Sequence, residues 1–237
     1  MKILLTSDVH RGLTQKTHER HKEFLVEISK QDFDIVVIAG DICSGKQDNL
    51  ESFFKAYRLQ IPTKPTYAVR GNHEYFNIGR RQQLGIKIAN WNDVCAKYNI
   101  ISLDGQMVEV DGIKMYGWHN WYGSPRHVRG TNDEYHLEIE EDLRLYKDDM
   151  DSFWRYIDAG VKADVLINHM PIVPNPQFTI LNGIEHQWEA LKEYNMQPRV
   201  YLHGHTHQER DTVIDGVRVV MCGSDYDRPE YKIVEVL

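Results

Sequence analysis

Short apolar runs alternate with amphipathic stretches along the first hundred residues of the chain. Uninterrupted runs rich in β-branched residues predict buried strands, and stretches with apolar residues three and four positions apart predict helices that pack on one face. This alternation favours βαβ units in a mainly parallel sheet, in which ligands bind at the carboxyl ends of the strands. The predicted strands cover residues 2–7, 34–39 and 66–69, and the predicted helices cover residues 17–30, 49–59 and 80–98.

The second half of the chain adds hairpin signals to this pattern. Asp111-Gly112 separates two strand-like runs and predicts a hairpin with a type I′ turn, and Asp215-Gly216 predicts a second hairpin. We find no linker and no low-complexity segment, so we expect one domain over residues 1–237. The predicted strands of this half cover residues 106–110, 113–117, 164–167, 199–202, 212–214, 217–222 and 231–237.

Composition and charge narrow the class of protein. With 41% apolar and 27% charged residues, the chain is typical of globular proteins with a sizeable core. The first apolar run is too short for a signal peptide, and no run approaches the ~20 apolar residues of a membrane span, so we expect a cytoplasmic protein without a membrane partner. The formal net charge of −7 disfavours extended binding to nucleic acid. Neither a disulfide framework nor a thiolate metal site is predicted from Cys43, Cys95 and Cys222.

Five predicted strands run directly into loops that carry oxygen or imidazole side chains. Each of these residues has an ordinary alternative, because an Asp before a loop often caps a helix and a single buried His is often hydrogen-bonded in a core. Gathering several of them at one sheet edge would cost a large desolvation energy, and a bound cation is the usual remedy. The residues are Asp8 and His10, Asp41, Asn72 and His73, His169, and His205 and His207.

The number of candidates favours two metal ions over one. Even without His73, the seven remaining ligand-type side chains exceed what one ion accepts beside water, whereas they suit two ions ~3.5–4 Å apart. Alternation along an extended segment points residues i and i+2 the same way. On that basis Asp8 with His10, and His205 with His207, are predicted to approach one metal centre from short loops.

These motifs, in this order, resemble the complete motif set of the calcineurin-like metallophosphoesterases: Asp8-Val9-His10, Gly40-Asp41, Gly71-Asn72-His73-Glu74, His169 and Gly204-His205-Thr206-His207. The resemblance implies an α/β fold, a four-layer α-β-β-α sandwich of two mixed sheets, with two divalent or trivalent ions of Mn, Fe, Zn or Ni at the carboxyl edge of the strands. It implies hydrolysis of phosphoesters by a metal-bridging hydroxide. It also implies one metal on Asp8, His10 and His207, the other on Asn72, His169 and His205, Asp41 as the bridge, and His73 as the catalytic residue beside the phosphate.

Within this family, the chain departs from the serine/threonine protein phosphatases. Ser44 and Gly45 stand where those enzymes carry an Asp and an Arg, and the chain looks more like the small bacterial and phage phosphohydrolases. Trp118, His119 and Arg126 are candidate substrate-binding residues, since an aromatic ring can stack on a base and an arginine can hold a phosphate. The alternative is that the tryptophan covers core and the arginine faces water.

The sequence therefore predicts a metal-dependent phosphodiesterase or phosphomonoesterase that acts on a small phosphoester or a nucleotide-like substrate. One alternative is a nuclease-type phosphodiesterase, although the chain lacks a basic stretch interleaved with aromatics. Another is a catalytically silent metal-binding scaffold of the same fold. Nothing in the sequence indicates an oligomeric state.

Overall fold

Two β-sheets packed face to face form the centre of the molecule, and helices cover their outer faces. This arrangement confirms the predicted four-layer α-β-β-α sandwich with two mixed sheets. The computed structural model describes residues 1–12, 15–43, 47–75, 88–119, 147, 150–173, 185–225 and 228–237.

The first sheet contains the strands of the N-terminal βαβ units together with the last strand of the chain. Its strand order is β11-β1-β2-β3-β4, in which β1 to β4 run parallel and β11 pairs antiparallel with β1. The strands are β1 (Lys2–Thr6), β2 (Ile35–Ala39), β3 (Thr66–Val69), β4 (Ile100–Ser102) and β11 (Tyr231–Glu235).

The second sheet joins both predicted hairpins to two central strands. Its order is β5-β6-β7-β8-β10-β9, with parallel pairing from β6 through β7 and β8 to β10 and an antiparallel hairpin at each edge. The strands are β5 (Gln106–Val110), β6 (Ile113–Gly117), β7 (Val165–Ile167), β8 (Val200–Leu202), β9 (Arg210–Ile214) and β10 (Val217–Met221).

Three apolar clusters hold the four layers together. One lies between the two sheets and includes Leu5, Val37 and Leu202. The other two lie between each sheet and its helices. Phe54 belongs to the cluster beside the first sheet, and Tyr156 belongs to the cluster beside the second. The helices are α1 (Gln15–Ile28), α2 (Gln47–Gln60), α3 (Asn72–Tyr75), α4 (Ile88–Lys97), α5 (helical residues 150–159) and α6 (Glu185–Glu193).

Both hairpin turns have the backbone that their Asp-Gly pairs predict. Asp111 and Gly112 have φ of 50° and 79°, and Asp215 and Gly216 have φ of 50° and 81°. A type I′ turn needs a positive φ at both central residues, which glycine adopts freely and aspartate tolerates. The hairpins therefore fix the register of both edges of the second sheet.

Two observed elements differ from the predicted ones. The three-residue strand β4 was not predicted, because a run this short shows no periodicity. The predicted helix over residues 80–98 is present as α4 from residue 88, and its first part lies outside the described residues. None of the helices in the described ranges has the length and apolar character needed to cross a membrane.

The two sheets meet closely at the edge where β1, β2, β7 and β8 end. The ring Nδ1 of His169, beyond β7, donates to the Ala39 carbonyl oxygen at the end of β2, at 2.8 Å. A Cβ atom on Gly204 would lie 2.7 Å from that same carbonyl oxygen. Glycine at position 204 therefore lets the loops of the two sheets approach each other, and this approach positions the candidate site.

Candidate metal centre

The structure brings the seven predicted metal ligands and His73 together at the carboxyl edge of the two sheets. Two groups of three residues each present ligand atoms that lie within 4.8 Å of one another, one group from Asp8, His10 and His207 and one from Asp41, His169 and His205. A third group of the same compactness contains His10, Asp41 and His73. Geometry alone therefore places His73 beside the candidate ligands.

Asn72 completes the group around Asp41. Its Oδ1 lies 3.0 Å from His169 Nε2 and 3.0 Å from His205 Nδ1. Because His169 Nδ1 donates to the Ala39 carbonyl oxygen, Nε2 is the ring nitrogen that faces the amide oxygen, and it would offer a lone pair to a cation that displaces its proton. An oxygen and two ring nitrogens thus converge on one point from three different loops.

Asp41 belongs to two of the three groups, one with His169 and His205 and one with His10 and His73. Its Oδ1 accepts the backbone N–H of His73 at 2.7 Å, and its Oδ2 lies 3.2 Å from His169 Nε2 and 3.7 Å from His73 Nε2. The carboxylate is fully buried, and its Oδ2 accepts no well-formed hydrogen bond from the described residues. A buried carboxylate oxygen aimed at imidazoles is suited to bridging two cations.

Five of the seven candidate ligands have a left-handed backbone. Their φ angles are 52° at Asp8, 50° at His10, 53° at Asp41, 75° at His205 and 55° at His207. Asp8 and His10 converge as predicted, and so do His205 and His207. The predicted reason, alternation along an extended segment, is wrong. Tight turns with positive φ, rather than an extended chain, aim these side chains into the site.

Burial sets the protonation of the imidazoles before any ion binds. It lowers the pKa of His10 and of His205 to about 3, so both rings are neutral and offer lone pairs near pH 7. Burial lowers the pKa of His169, but the Asp41 and Asp8 carboxylates and the Ala39 carbonyl oxygen together outweigh this effect and raise it to about 9. Burial raises the pKa of Asp8 to about 6. Much of the site is thus ready to accept cations, and His169 and Asp41 form an ion pair in their absence.

A second set of residues supports the candidate ligands. The buried carboxylate of Glu74 accepts backbone N–H groups from the loops after β2 and β3, at 2.7–3.1 Å. Burial raises the pKa of Glu74 to about 7, and the amide donors oppose this shift, so they favour the carboxylate form.

Asp225 Oδ1 lies 3.7 Å from His207 Nδ1, on the side of the ring away from Asp8. Asp225 was missed from the sequence, where no motif marks it.

The predicted substrate-binding residues have different surroundings. Trp118 has no exposed surface and packs with Phe153 in the core beneath the second sheet, which favours the alternative that it covers core. His119 is also buried, and its Nδ1 lies 3.3 Å from Nη2 of Arg70, whose Nε donates to Asp104. Because Arg70 can only donate, it fixes His119 Nδ1 as the acceptor. The predicted role of Arg126 falls outside the described residues.

The donor set fits transition-metal ions. Carboxylate oxygens, an amide oxygen and imidazole nitrogens together suit Mn, Fe, Zn or Ni. Without cations, the imidazoles near Asp8 offset its burial only in part, since its pKa is raised, whereas Asp41 stays ionised through the imidazoles around it. The chemistry of the residues present is therefore that of a metal centre.

Gly71 gives the first testable consequence of this geometry. A Cβ atom there would overlap both the backbone nitrogen and the side-chain oxygen of Asp41. We expect Gly71→Ala to lower the free energy of unfolding by about 1–3 kcal/mol, as overpacking does, and to weaken Mn²⁺ binding by displacing Asp41. Urea unfolding and isothermal titration with Mn²⁺ measure the two effects.

Gly112→Ala is the matched control, since it strains a turn residue with a φ of 79° but places its Cβ in open space. It should lower stability without changing the affinity for Mn²⁺. Equal Mn²⁺ affinity in Gly71→Ala and in the unchanged protein would contradict the close packing of Gly71 on Asp41.

Comparison with known proteins agrees with this geometry. The sequence model of the family described as calcineurin-like phosphoesterase matches residues 1–209. An uncharacterized metallophosphoesterase of Helicobacter pylori is 28% identical over 128 residues, which are 53% of this chain and 31% of that protein. Another, from a different strain, is 25% identical over 211 residues, which are 87% of this chain and 44% of that protein. The chain thus spans less than half the length of these two relatives.

Solved structures share the fold at low sequence identity. A phosphopantetheinyl hydrolase from Mycobacterium tuberculosis has a TM-score of 0.65 and 15% identity, over 96% of this chain and 90% of that chain. A dimetal phosphatase from Danio rerio has a TM-score of 0.51 and 14% identity, over 93% of this chain and 86% of that chain. At these identities the likeness shows a common architecture.

Proposed function

This chain belongs to the calcineurin-like phosphoesterase family, and from that premise we propose that it is a dinuclear-metal-dependent phosphoester hydrolase acting on a small or nucleotide-like substrate. The observation that carries the proposal is the convergence of seven ligand-type side chains from five strand-end loops. In the proposed assignment, Asp8, His10 and His207 would hold one ion, Asn72, His169 and His205 would hold the other, and Asp41 would be a ligand to both.

The charge of this donor set suits an anionic substrate. Only Asp8 and Asp41 among the seven donors are carboxylates, and Asn72 and the imidazoles are neutral ligands. Two divalent ions bound here would supply Lewis acidity, polarising a phosphoryl group and making water nucleophilic near neutral pH. Because the donors offset only part of the cationic charge, the site would attract a phosphoester.

His73 is the proposed catalytic residue. Its backbone N–H is held by Asp41 Oδ1 at 2.7 Å, which keeps its ring at the edge of the site and in edge contact with His10, at 4.4 Å between ring centroids. From there the imidazole can donate a hydrogen bond to a phosphoryl oxygen or protonate the leaving oxygen. Proton transfer of this kind typically contributes about 10²–10⁴-fold to a rate.

A small substrate is favoured over a long polynucleotide. The net charge of −7 opposes extended contact with a phosphate backbone. The two solved structures that share the fold are named as a phosphopantetheinyl hydrolase and a dimetal phosphatase. These names are consistent with hydrolysis of a phosphoester and do not identify the ester for this chain.

Metal content and two chromogenic esters test the proposal. Elemental analysis after loading with Mn²⁺ should find about two equivalents per chain, as a dinuclear site requires. Hydrolysis of bis-p-nitrophenyl phosphate and of p-nitrophenyl phosphate separates a diesterase from a monoesterase, and chelation should abolish either activity. Saturation at one equivalent would contradict the bridging position of Asp41. Two bound ions with no turnover of either ester under Mn²⁺, Fe²⁺, Zn²⁺ or Ni²⁺ would instead favour the catalytically silent scaffold.

A further inference from the structure

Glu74 is a fully buried carboxylate, and its hydrogen bonds with the described residues all come from backbone amides of two loops of the candidate metal site. Its Oε1 accepts from Ile42 at 2.8 Å and from Cys43 at 3.1 Å, and its Oε2 accepts from Asp41 at 2.9 Å and from Gly71 at 2.7 Å. Glu74 has 0% of its surface exposed. One side chain thus ties the loop that follows β2 to the loop that follows β3.

The four hydrogen bonds demand an ionised carboxylate. A carboxylate only accepts hydrogen bonds, and each oxygen of Glu74 already receives two N–H donors. A glutamine has the same shape, but its NH₂ group would face two backbone N–H groups whichever way the amide is turned. The site therefore distinguishes Glu from Gln by charge and hydrogen-bond polarity rather than by size.

A hydrogen bond from a backbone N–H of the second loop to a side chain of the first also joins the two loops. The backbone N–H of His73 binds Oδ1 of Asp41 at 2.7 Å, while the backbone N–H of Asp41 binds Oε2 of Glu74. This reciprocal pair fixes Asp41 from both its main chain and its side chain. It does so at a residue whose φ is 53°, a conformation that a non-glycine residue adopts at some cost.

Among the described residues, Glu74 accepts no hydrogen bond from outside these loops, and it has no surface from which to touch a substrate. Its contacts therefore act on the site only through the backbone of Asp41, Ile42, Cys43 and Gly71. A group of this kind affects the chemistry by fixing the direction in which its neighbours point.

We propose that Glu74 is the positioning residue that sets the metal affinity of the site, by holding Asp41 in its left-handed, ligand-directing conformation. This inference rests on the proposed function, since it takes Asp41 to be a metal ligand. It adds that the strained backbone of Asp41 is maintained by the neighbouring motif rather than by bound metal. The metal-free protein should accordingly keep the ligand arrangement.

Titration of metal-free protein with Mn²⁺, followed by the electron paramagnetic resonance signal of free Mn²⁺, tests this inference without relying on activity. Glu74→Gln is expected to weaken Mn²⁺ binding by about 10–100-fold, the usual effect of removing a partner that orients a ligand. Glu74→Asp keeps the charge but withdraws the carboxylate by about 1.5 Å, the length of one C–C bond, so it should also bind Mn²⁺ weakly.

Asp164→Asn is the matched control. Asp164 also accepts a backbone amide, that of Lys114 at 2.9 Å, but it precedes β7 at the opposite edge of the second sheet from the candidate ligands. Its loss should lower thermal stability and leave the affinity for Mn²⁺ unchanged. Circular dichroism at the titration temperature shows whether each variant is folded, and Glu74→Asp provides the second variant if Glu74→Gln does not fold.

The outcomes separate this inference from the proposed function. Mn²⁺ affinity in folded Glu74→Gln equal to that of the unchanged protein, with only thermal stability reduced, would make Glu74 a purely structural residue and overturn the inference alone. An unchanged Mn²⁺ affinity in Glu74→Asp would show that the negative charge suffices whatever the position of the carboxylate. That result would also overturn the inference. Failure of the unchanged protein to bind Mn²⁺ would overturn both proposals together.

Discussion

Asp41→Asn is expected to lose bound metal and phosphoester hydrolysis together. The substitution keeps the size of the side chain but removes the negative charge from a carboxylate that belongs to two of the ligand groups, with its Oδ2 3.2 Å from His169 Nε2. An amide also offers only one oxygen, and that oxygen is needed by the backbone N–H of His73. Lewis-acid stabilisation is worth several kcal/mol, so turnover should fall on the order of 10³-fold.

Elemental analysis and the rate with the better chromogenic ester measure the effect of Asp41→Asn. Asp34→Asn is the matched control, because Asp34 lies just before the other end of the same strand, where it accepts the Lys2 backbone N–H at 2.7 Å on the protein surface. That variant should keep both metal equivalents and activity. An Asp41→Asn protein that retains two equivalents of metal would remove Asp41 from its bridging position.

His73→Ala should lower kcat by about 10²–10⁴-fold while metal content remains near that of the unchanged protein. The imidazole lies at the edge of the site, and its Nε2 is 3.7 Å from Asp41 Oδ2, farther than the His169 ring. Because the contact that secures the loop is the backbone N–H of residue 73, truncation of the side chain leaves that hydrogen bond in place. Turnover and metal content measured on the same preparation separate catalysis from ligation.

A metal-ligand role for His73 would give a different result in this experiment. His73 also forms a compact group with His10 and Asp41, so a ligand role is geometrically available to it. If His73→Ala loses an equivalent of metal in proportion to its activity, the residue is a ligand and not the catalytic group. His186→Ala, which changes an exposed histidine on α6, should alter neither quantity.

The sheet scaffold was predictable because its signals are local. Fully buried strands such as β2, with five consecutive apolar residues, cannot be mistaken for exposed segments, and Asp-Gly pairs fixed both hairpins. The clustering of the candidate ligands followed from the rule that parallel strands end at one edge. The division of the strands into two facing sheets came from the family resemblance, since strand order depends on contacts between distant segments.

The finer arrangement of the site could not be predicted from spacing. The positive φ at Asp8 and at His10 depends on loops that pack against each other, as in the hydrogen bond from the Asp8 backbone N–H to the Gly40 carbonyl oxygen at 3.0 Å. The burial of Trp118 depends on the helix that carries Phe153, which is distant in sequence. The approach of Asp225 to His207 joins a turn after β10 to a loop after β8. Each feature requires the tertiary structure.

The left-handed backbone at the candidate ligands also constrains how the proposed metal site could be re-engineered for another metal. Aspartate, asparagine and histidine tolerate positive φ better than most side chains, so at five positions the ligand type and the backbone conformation are selected together. Replacing Asp8 or His207 by cysteine to favour softer ions would cost backbone energy as well as coordination. Asn72 and His169 do not have positive φ, so an exchange of ligand at these two positions would carry no such backbone cost.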